Sequence, residues 1–158
     1  MKTTTSTSFN TGEHVAAIVP NVFETMLALP VSIVNPGLLP ATRVSGAVGI
    51  AGEHVNGTVY IHLPETLSRE AARAMLQNTT GQAASDNDVH DMVGELENMI
   101  GGGLKSKLCD ADVFCAMSTP SVIRGAFEVE ATPGVRVEKI YFACLGQRFA
   151  VEVHLQFN

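Results

Sequence analysis

Charge is scarce in this chain, and basic charge is scarcest. Only 16% of its 158 residues are charged, with 10 Lys and Arg against 16 Asp and Glu, a formal net charge of −6. No Lys/Arg cluster is present to meet phosphates, so no nucleic-acid partner is expected. Cysteine is sparse too. Cys109, Cys115 and Cys144 form no CxxC pair and leave an odd count, which reads as free thiols in a reducing compartment. No run reaches the roughly 18–20 apolar residues of a membrane span. The opening MKTTTSTSFNTGEH has no apolar segment of the signal-peptide kind. A cytoplasmic protein with no membrane partner is the expectation.

What is present is apolar side chain, 46% of the sequence, enough for a single domain that buries roughly 70% of its unfolded surface. The Thr/Ser-rich residues 1–10 read as a flexible tail ahead of one domain, 11–158. The stretch DNDVHDMVGELENMIGGGLKSKL, residues 86–108, sets the pattern. Val89, Met92, Val93, Leu96, Met99, Ile100 and Leu104 recur at steps of three and four, one apolar stripe at about 100° per residue. Asp86 or Asn87 reads as its cap. Away from the stripe run Asp88, Asp91, Glu95 and Asn98, within about 80° of one another on a helical net.

A first amphipathic helix is expected over 13–29, kinked at Pro20 or starting near Val19. Three prolines make the stretch after it a loop or an irregular edge strand. Strands over 42–51 and 57–63 form a hairpin, with Gly46 and Gly49 marking a close backbone approach or a bulge. A short helix follows, capped by Ser68 and running to 77, and then a loop over 79–85. Beyond 108 the period becomes two: strands over 112–118 and 125–131, and a closing hairpin of 138–145 with 148–157. Hairpins mean antiparallel strands. The fold class is α+β, a mostly antiparallel sheet of about six strands packed with two long helices and a short one.

Several familiar chemistries drop out. Gly101-Gly102-Gly103-Leu104-Lys105-Ser106 resembles a phosphate loop, but Leu104 separates glycine from lysine and a helix precedes it. The glycines either end the helix or let it pack closely on a neighbour, and Gly103 falls on the apolar side. The five histidines show no HxxxH or HExxH spacing, and Asp88, Asp91 and Glu95 lack the crowded oxygens of a calcium loop. No GxSxG elbow stands out. The polar row remains, and by physics alone it reads as a solvated face. One detail resists that reading: Asn is a poor mid-helix residue, because its amide competes for the backbone.

Asp91-x3-Glu95-x2-Asn98, followed by x21 and Pro120, is similar to the signature of the CheC/CheX phosphatases of bacterial chemotaxis. CheC-like members generally carry two copies of the helix motif. This chain carries one, so it resembles the CheX type, with Glu97 and a third glycine as mild departures. The resemblance implies a phosphatase that removes the phospho-aspartate of a CheY-like response regulator in chemotaxis or a related two-component pathway. Asn98 would position the attacking water and Glu95 would pair with the regulator's lysine. Asp91 would support that contact, and Pro120 would shape the adjoining loop. The chain would need no cofactor of its own, because the regulator supplies Mg²⁺. It further implies a homodimer joined through sheet edges. The alternative is a non-catalytic CheX-like module that docks a receiver domain or another signalling partner.

Overall fold

A computed structural model describes residues 8–77 and 82–158. The elements in order are α1 (Thr11–Leu27), β1 (Ser32–Val34), β2 (Arg43–Ala51), β3 (Val55–Pro64), α2 (Glu65–Met75), α3 (Asp86–Asp110), β4 (Ala116–Met117), β5 (Ser121–Arg124), β6 (Arg136–Cys144) and β7 (Gln147–Phe157). Seven strands form one sheet in the order β1-β6-β7-β3-β2-β4, with β5 also pairing β2. Every pairing is antiparallel. The architecture is the expected α+β layer, with one strand more than the expected six or so.

Alternation along the strands separates two faces. Val44, Val48, Ile50, Val59, Ile61, Leu63, Phe149, Val151, Val153 and Leu155 are buried and belong to the same core cluster as Val15 and Val19 of α1, Leu67 of α2 and Leu96 of α3. α1, α2 and α3 therefore lie on that face. The other face carries Ser45, His62, Glu152 and His154, also buried.

Several local expectations are corrected. α1 does not start near Val19; it begins at Thr11 and runs on through Pro20. The proline ring strands the carbonyl of Ala16, and both residues are only half-buried, so water can take the lost bond. The cap of α3 is Ser85: its hydroxyl accepts from Asp88 N–H, and the Asp88 carboxylate accepts from Ser85 N–H, a reciprocal box. Ser68 lies inside α2, not at its cap, and its hydroxyl donates to Glu65 O at 2.7 Å. Only 116–117 of the expected strand 112–118 pairs, and 125–131 is no strand; β5, just after Pro120, takes that place beside β2. Residues 1–7 of the expected tail and part of the expected 79–85 loop lie outside the described residues. Phe9 is buried, with its ring 6.1 Å from that of Phe157, and Asn10 caps α1.

Two features seat α3. A Cβ built on Gly46 would stand 2.5 Å from Glu97 Cγ and 2.9 Å from Val93 Cγ1. Only a bare backbone lets the helix lie this low on β2. Farther along, Gly101 meets Val48 and Met117, and Gly103 meets Ile18 of α1. The glycine run is a packing surface, and the helix continues through it to Asp110.

Candidate functional site

The polar row of α3 divides by task. Asp88 is used in the capping box. Asp91, Glu95 and Asn98 are exposed, and together with His90, Gly94, Pro120 and Val122 they line one open depression of about 390 Å³. All four residues singled out from the sequence thus border the same space. Glu95 and Asn98, at i and i+3, are neighbours about 5–6 Å apart. Neither makes a hydrogen bond or ion pair with the described residues, whereas Asp91 lies 4.0 Å from His90 Nδ1.

Pro120 reaches this helix because β5 hugs the outer edge of β2. Ser118 accepts the Gly49 N–H at 2.8 Å and donates to Thr119 O at 3.0 Å, pinning the turn that leads into Pro120. Gly94 presents no side chain to the proline, and a Cβ there would sit 3.8 Å from Pro120 Cγ. The start of α3 is tied to β5 and α2 by a solvent-facing network. Arg124 donates to Asp86 O and to the Glu65 carboxylate, and Arg69 joins Glu65, Asp86 and Ala84 O. The hydrogen bond from Arg69 holds the Asp86 carboxyl below its usual range. Exposed pairs of this kind stabilise little; they link the start of α3 to β5, the strand that follows Pro120.

The sequence marks Glu97 only as a departure from the motif and does not announce its burial. The residue is fully buried, and neither carboxylate oxygen has a partner among the described residues. Desolvation pushes its pKa well above the ordinary value. Its helical angle was the available signal, since it falls beside Val93, Leu96 and Ile100. Met99, expected in the stripe, is instead partly exposed beside Asn98. The sign of the resulting pH dependence follows from a folded pKa above the unfolded one. The stabilising contribution of neutral Glu97 is complete below about pH 4.3 and falls by about 1.4 kcal/mol per unit as pH rises from there. It is spent once the folded pKa is passed. Urea denaturation of wild type and Glu97→Gln across the pH range checks this: the variant should gain on wild type as pH rises. Parallel curves would contradict it.

Among the described residues, no group of three or more His, Cys, Asp or Glu is placed to hold a metal ion. Cys109, Cys115 and Cys144 are free thiols. No helix of the described residues is long and apolar enough to cross a membrane.

The chemotaxis protein CheX of Vibrio vulnificus shares 26% identity over 91% of this chain and 95% of its own, with a TM-score of 0.77. A putative chemotaxis protein of Desulfovibrio vulgaris Hildenborough, also 26% identical, covers 94% and 98% of the two chains at a TM-score of 0.76. The same fold appears, at 21% identity, in the CheX-CheY-BeF3-Mg²⁺ complex of Borrelia burgdorferi, with a TM-score of 0.70 over 91% of this chain and 96% of that one. No curated protein matches the chain. The model of the chemotaxis phosphatase CheX matches residues 44–142, the greater part of the sequence and all of the Asp91-to-Pro120 motif. The chain belongs to the CheX family of chemotaxis phosphatases.

Proposed function

We propose that this chain dephosphorylates the phospho-aspartate of a CheY-like response regulator, with Asn98 as the catalytic residue. The observation that carries this reading is the pair Glu95 and Asn98, exposed, one turn apart and without partners among the described residues, beside Pro120. An acyl phosphate is already labile. Its hydrolysis forms a bond from water oxygen to phosphorus and breaks the bond from phosphorus to the aspartyl oxygen, whose carboxylate leaves without needing a proton. The remaining requirement is a water held in line. A neutral amide suits that task, since its carbonyl accepts from the water while its NH2 donates to the phosphoryl oxygens. The regulator brings the Mg²⁺ and its own lysine, and the Borrelia complex, in which a CheX-type fold meets CheY with BeF3 and Mg²⁺, supports that division of parts.

Glu95 is the docking group. Its carboxylate meets the regulator's lysine and sets the register of the helix across the partner's site. Asp91 supports the same contact from one turn back, and Pro120 shapes the wall that receives the partner loop. A docking module without hydrolysis would bind a charged regulator and leave its phosphate in place. Adding the chain to a phosphorylated regulator and following free phosphate separates the two readings. Faster release than the regulator shows alone supports the phosphatase; unchanged release together with binding supports the module.

We further propose a homodimer joined at sheet edges. β1 lies at the edge of the sheet with Ile33 exposed, and a sheet edge offers its outer backbone groups to a second strand. Light scattering at micromolar concentration should give twice the chain mass, and a monomer mass would overturn the pairing.

A further inference from the structure

Helix α3 contains four glycines, Gly94, Gly101, Gly102 and Gly103, and none of them ends it. Glycine is the poorest helix former apart from proline, because its backbone has the most freedom to lose. Each one in mid-helix therefore calls for a reason. Packing supplies it for two of them. A Cβ on Gly101 would stand 2.8 Å from Val48 Cγ1, and one on Gly103 would stand 3.0 Å from Ile18 Cγ2. Alanine at either position would have to push a neighbour aside.

Gly94 and Gly102 have no such reason. A Cβ on Gly94 would meet only Pro120 Cγ, at 3.8 Å, an ordinary van der Waals contact. A Cβ on Gly102 would meet no described atom within 4 Å. Neither residue has a positive φ. Alanine would fit at both positions, favour the helix and reduce the freedom of the unfolded chain. The folded chain by itself thus gains nothing from either glycine.

Their placement is a separate observation. Gly94 is four residues before Asn98 and Gly102 four residues after it, so they occupy the adjacent turns on the same face. Asn98, which is exposed, rises between two bare turns, a strip of about 12 Å from Gly94 to Gly102 at the helical rise. At its Gly94 end the strip opens into the depression bordered by Pro120 and Val122. An asparagine amide is carried on a single methylene, so it reaches less far than the side chains of Glu95 and Met99 beside it. It can act only on a partner that comes close to the helix backbone.

We infer that Gly94 and Gly102 are positioning residues for Asn98. They keep side chains off the two adjacent turns, so that the partner loop bearing the phospho-aspartate can lie close on α3, within reach of the short amide. The inference rests on the reading of Asn98 as the group that acts on a phosphorylated regulator. A methyl on either turn stands where that loop must lie, and a misplacement of about 1 Å can cost about 10²-fold in rate.

Gly94→Ala and Gly102→Ala test this in three measurements: thermal unfolding, titration calorimetry against a CheY-like regulator charged with beryllofluoride and Mg²⁺, and phosphate release from the phosphorylated regulator. Each variant should melt about 2–4 °C above wild type. Each should also bind the charged regulator about tenfold more weakly and lose about tenfold or more in kcat/KM. The opposed directions are the signature, because glycines kept for folding would lose stability and activity together. Variants that melt below wild type would overturn the inference. So would variants that equal wild type in affinity and rate, and with a wild type that hydrolyses, that result leaves the phosphatase reading standing. Wild-type release no faster than the regulator's own decay, with binding still weakened in the variants, would overturn the phosphatase reading and support the clearance around Asn98.

Discussion

Replacing Asn98 with alanine should reduce stimulated phosphate release from a phosphorylated CheY-like regulator by about 10²-fold or more, the scale on which loss of one preorganised polar contact to a transition state is felt. The fold should survive, because Asn98 is exposed and makes no hydrogen bond with the described residues. Stability should in fact rise by about 0.5 kcal/mol, since alanine is the better helix former at mid-helix. Activity lost while stability is gained marks a residue kept for chemistry, and a merely wet surface residue would give only the second effect. Glu95→Ala in the same assay should differ in kind. Removing the docking carboxylate raises the regulator concentration needed for half-maximal rate as well as lowering the rate, because it removes an intermolecular ion pair.

Gly46→Ala should be the most damaging conservative change near the site. No positive φ is required at this position, so alanine costs nothing in backbone conformation and even lowers the entropy of the unfolded chain. Sterics decide against it. The new methyl would stand 2.5 Å from Glu97 Cγ and 2.9 Å from Val93 Cγ1, and neither atom is the free end of a long side chain. Helix α3 must lift from β2, or Glu97 must leave its buried position. Overpacking of this kind costs about 1–3 kcal/mol. It also moves Asn98, one residue from Glu97, against a partner that needs it placed to within a fraction of an ångström. Urea denaturation should show the lost stability, and the phosphate assay a loss of rate with it. Glu97→Ala in the Gly46→Ala background should recover part of the stability by removing the Cγ. A Gly46→Ala protein as stable as wild type would show that α3 has slack that the close contacts do not suggest.

The sequence made the long elements plain where one periodicity acted alone. Helix α3 shows itself through Val89, Val93, Leu96, Ile100 and Leu104, and the β6–β7 hairpin through the strict alternation of Phe149, Val151, Val153 and Leu155. Short edges were harder to read. β4 is two residues paired to Ile50 and Ala51, and β5 is held beside β2 by tertiary contact. Neither carries enough alternating side chains to announce itself. Ser85 does not stand out as a cap in the sequence because Asp86 and Asn87 offer the same chemistry one and two steps later, and only the reciprocal bond with Asp88 decides between them.

At the site, the motif spacing singled out Asp91, Glu95, Asn98 and Pro120, but it could not show that β5 would carry Pro120 to the helix. The burial of Glu97 is not legible in the sequence for a physical reason: a carboxylate is assigned to water by default. The notch that Gly46 opens for it lies about 50 residues away in the chain, and only the folded pairing of helix and strand brings the two together.

The most direct measurement follows free phosphate from a phosphorylated CheY-like regulator with this chain added in substoichiometric amount. The phosphatase account predicts release faster than the regulator's own decay and continuing past one equivalent of the added chain, with Asn98→Ala returning it to the uncatalysed rate. Release that stays at the regulator's own rate with wild type, or that persists undiminished in Asn98→Ala, would contradict it.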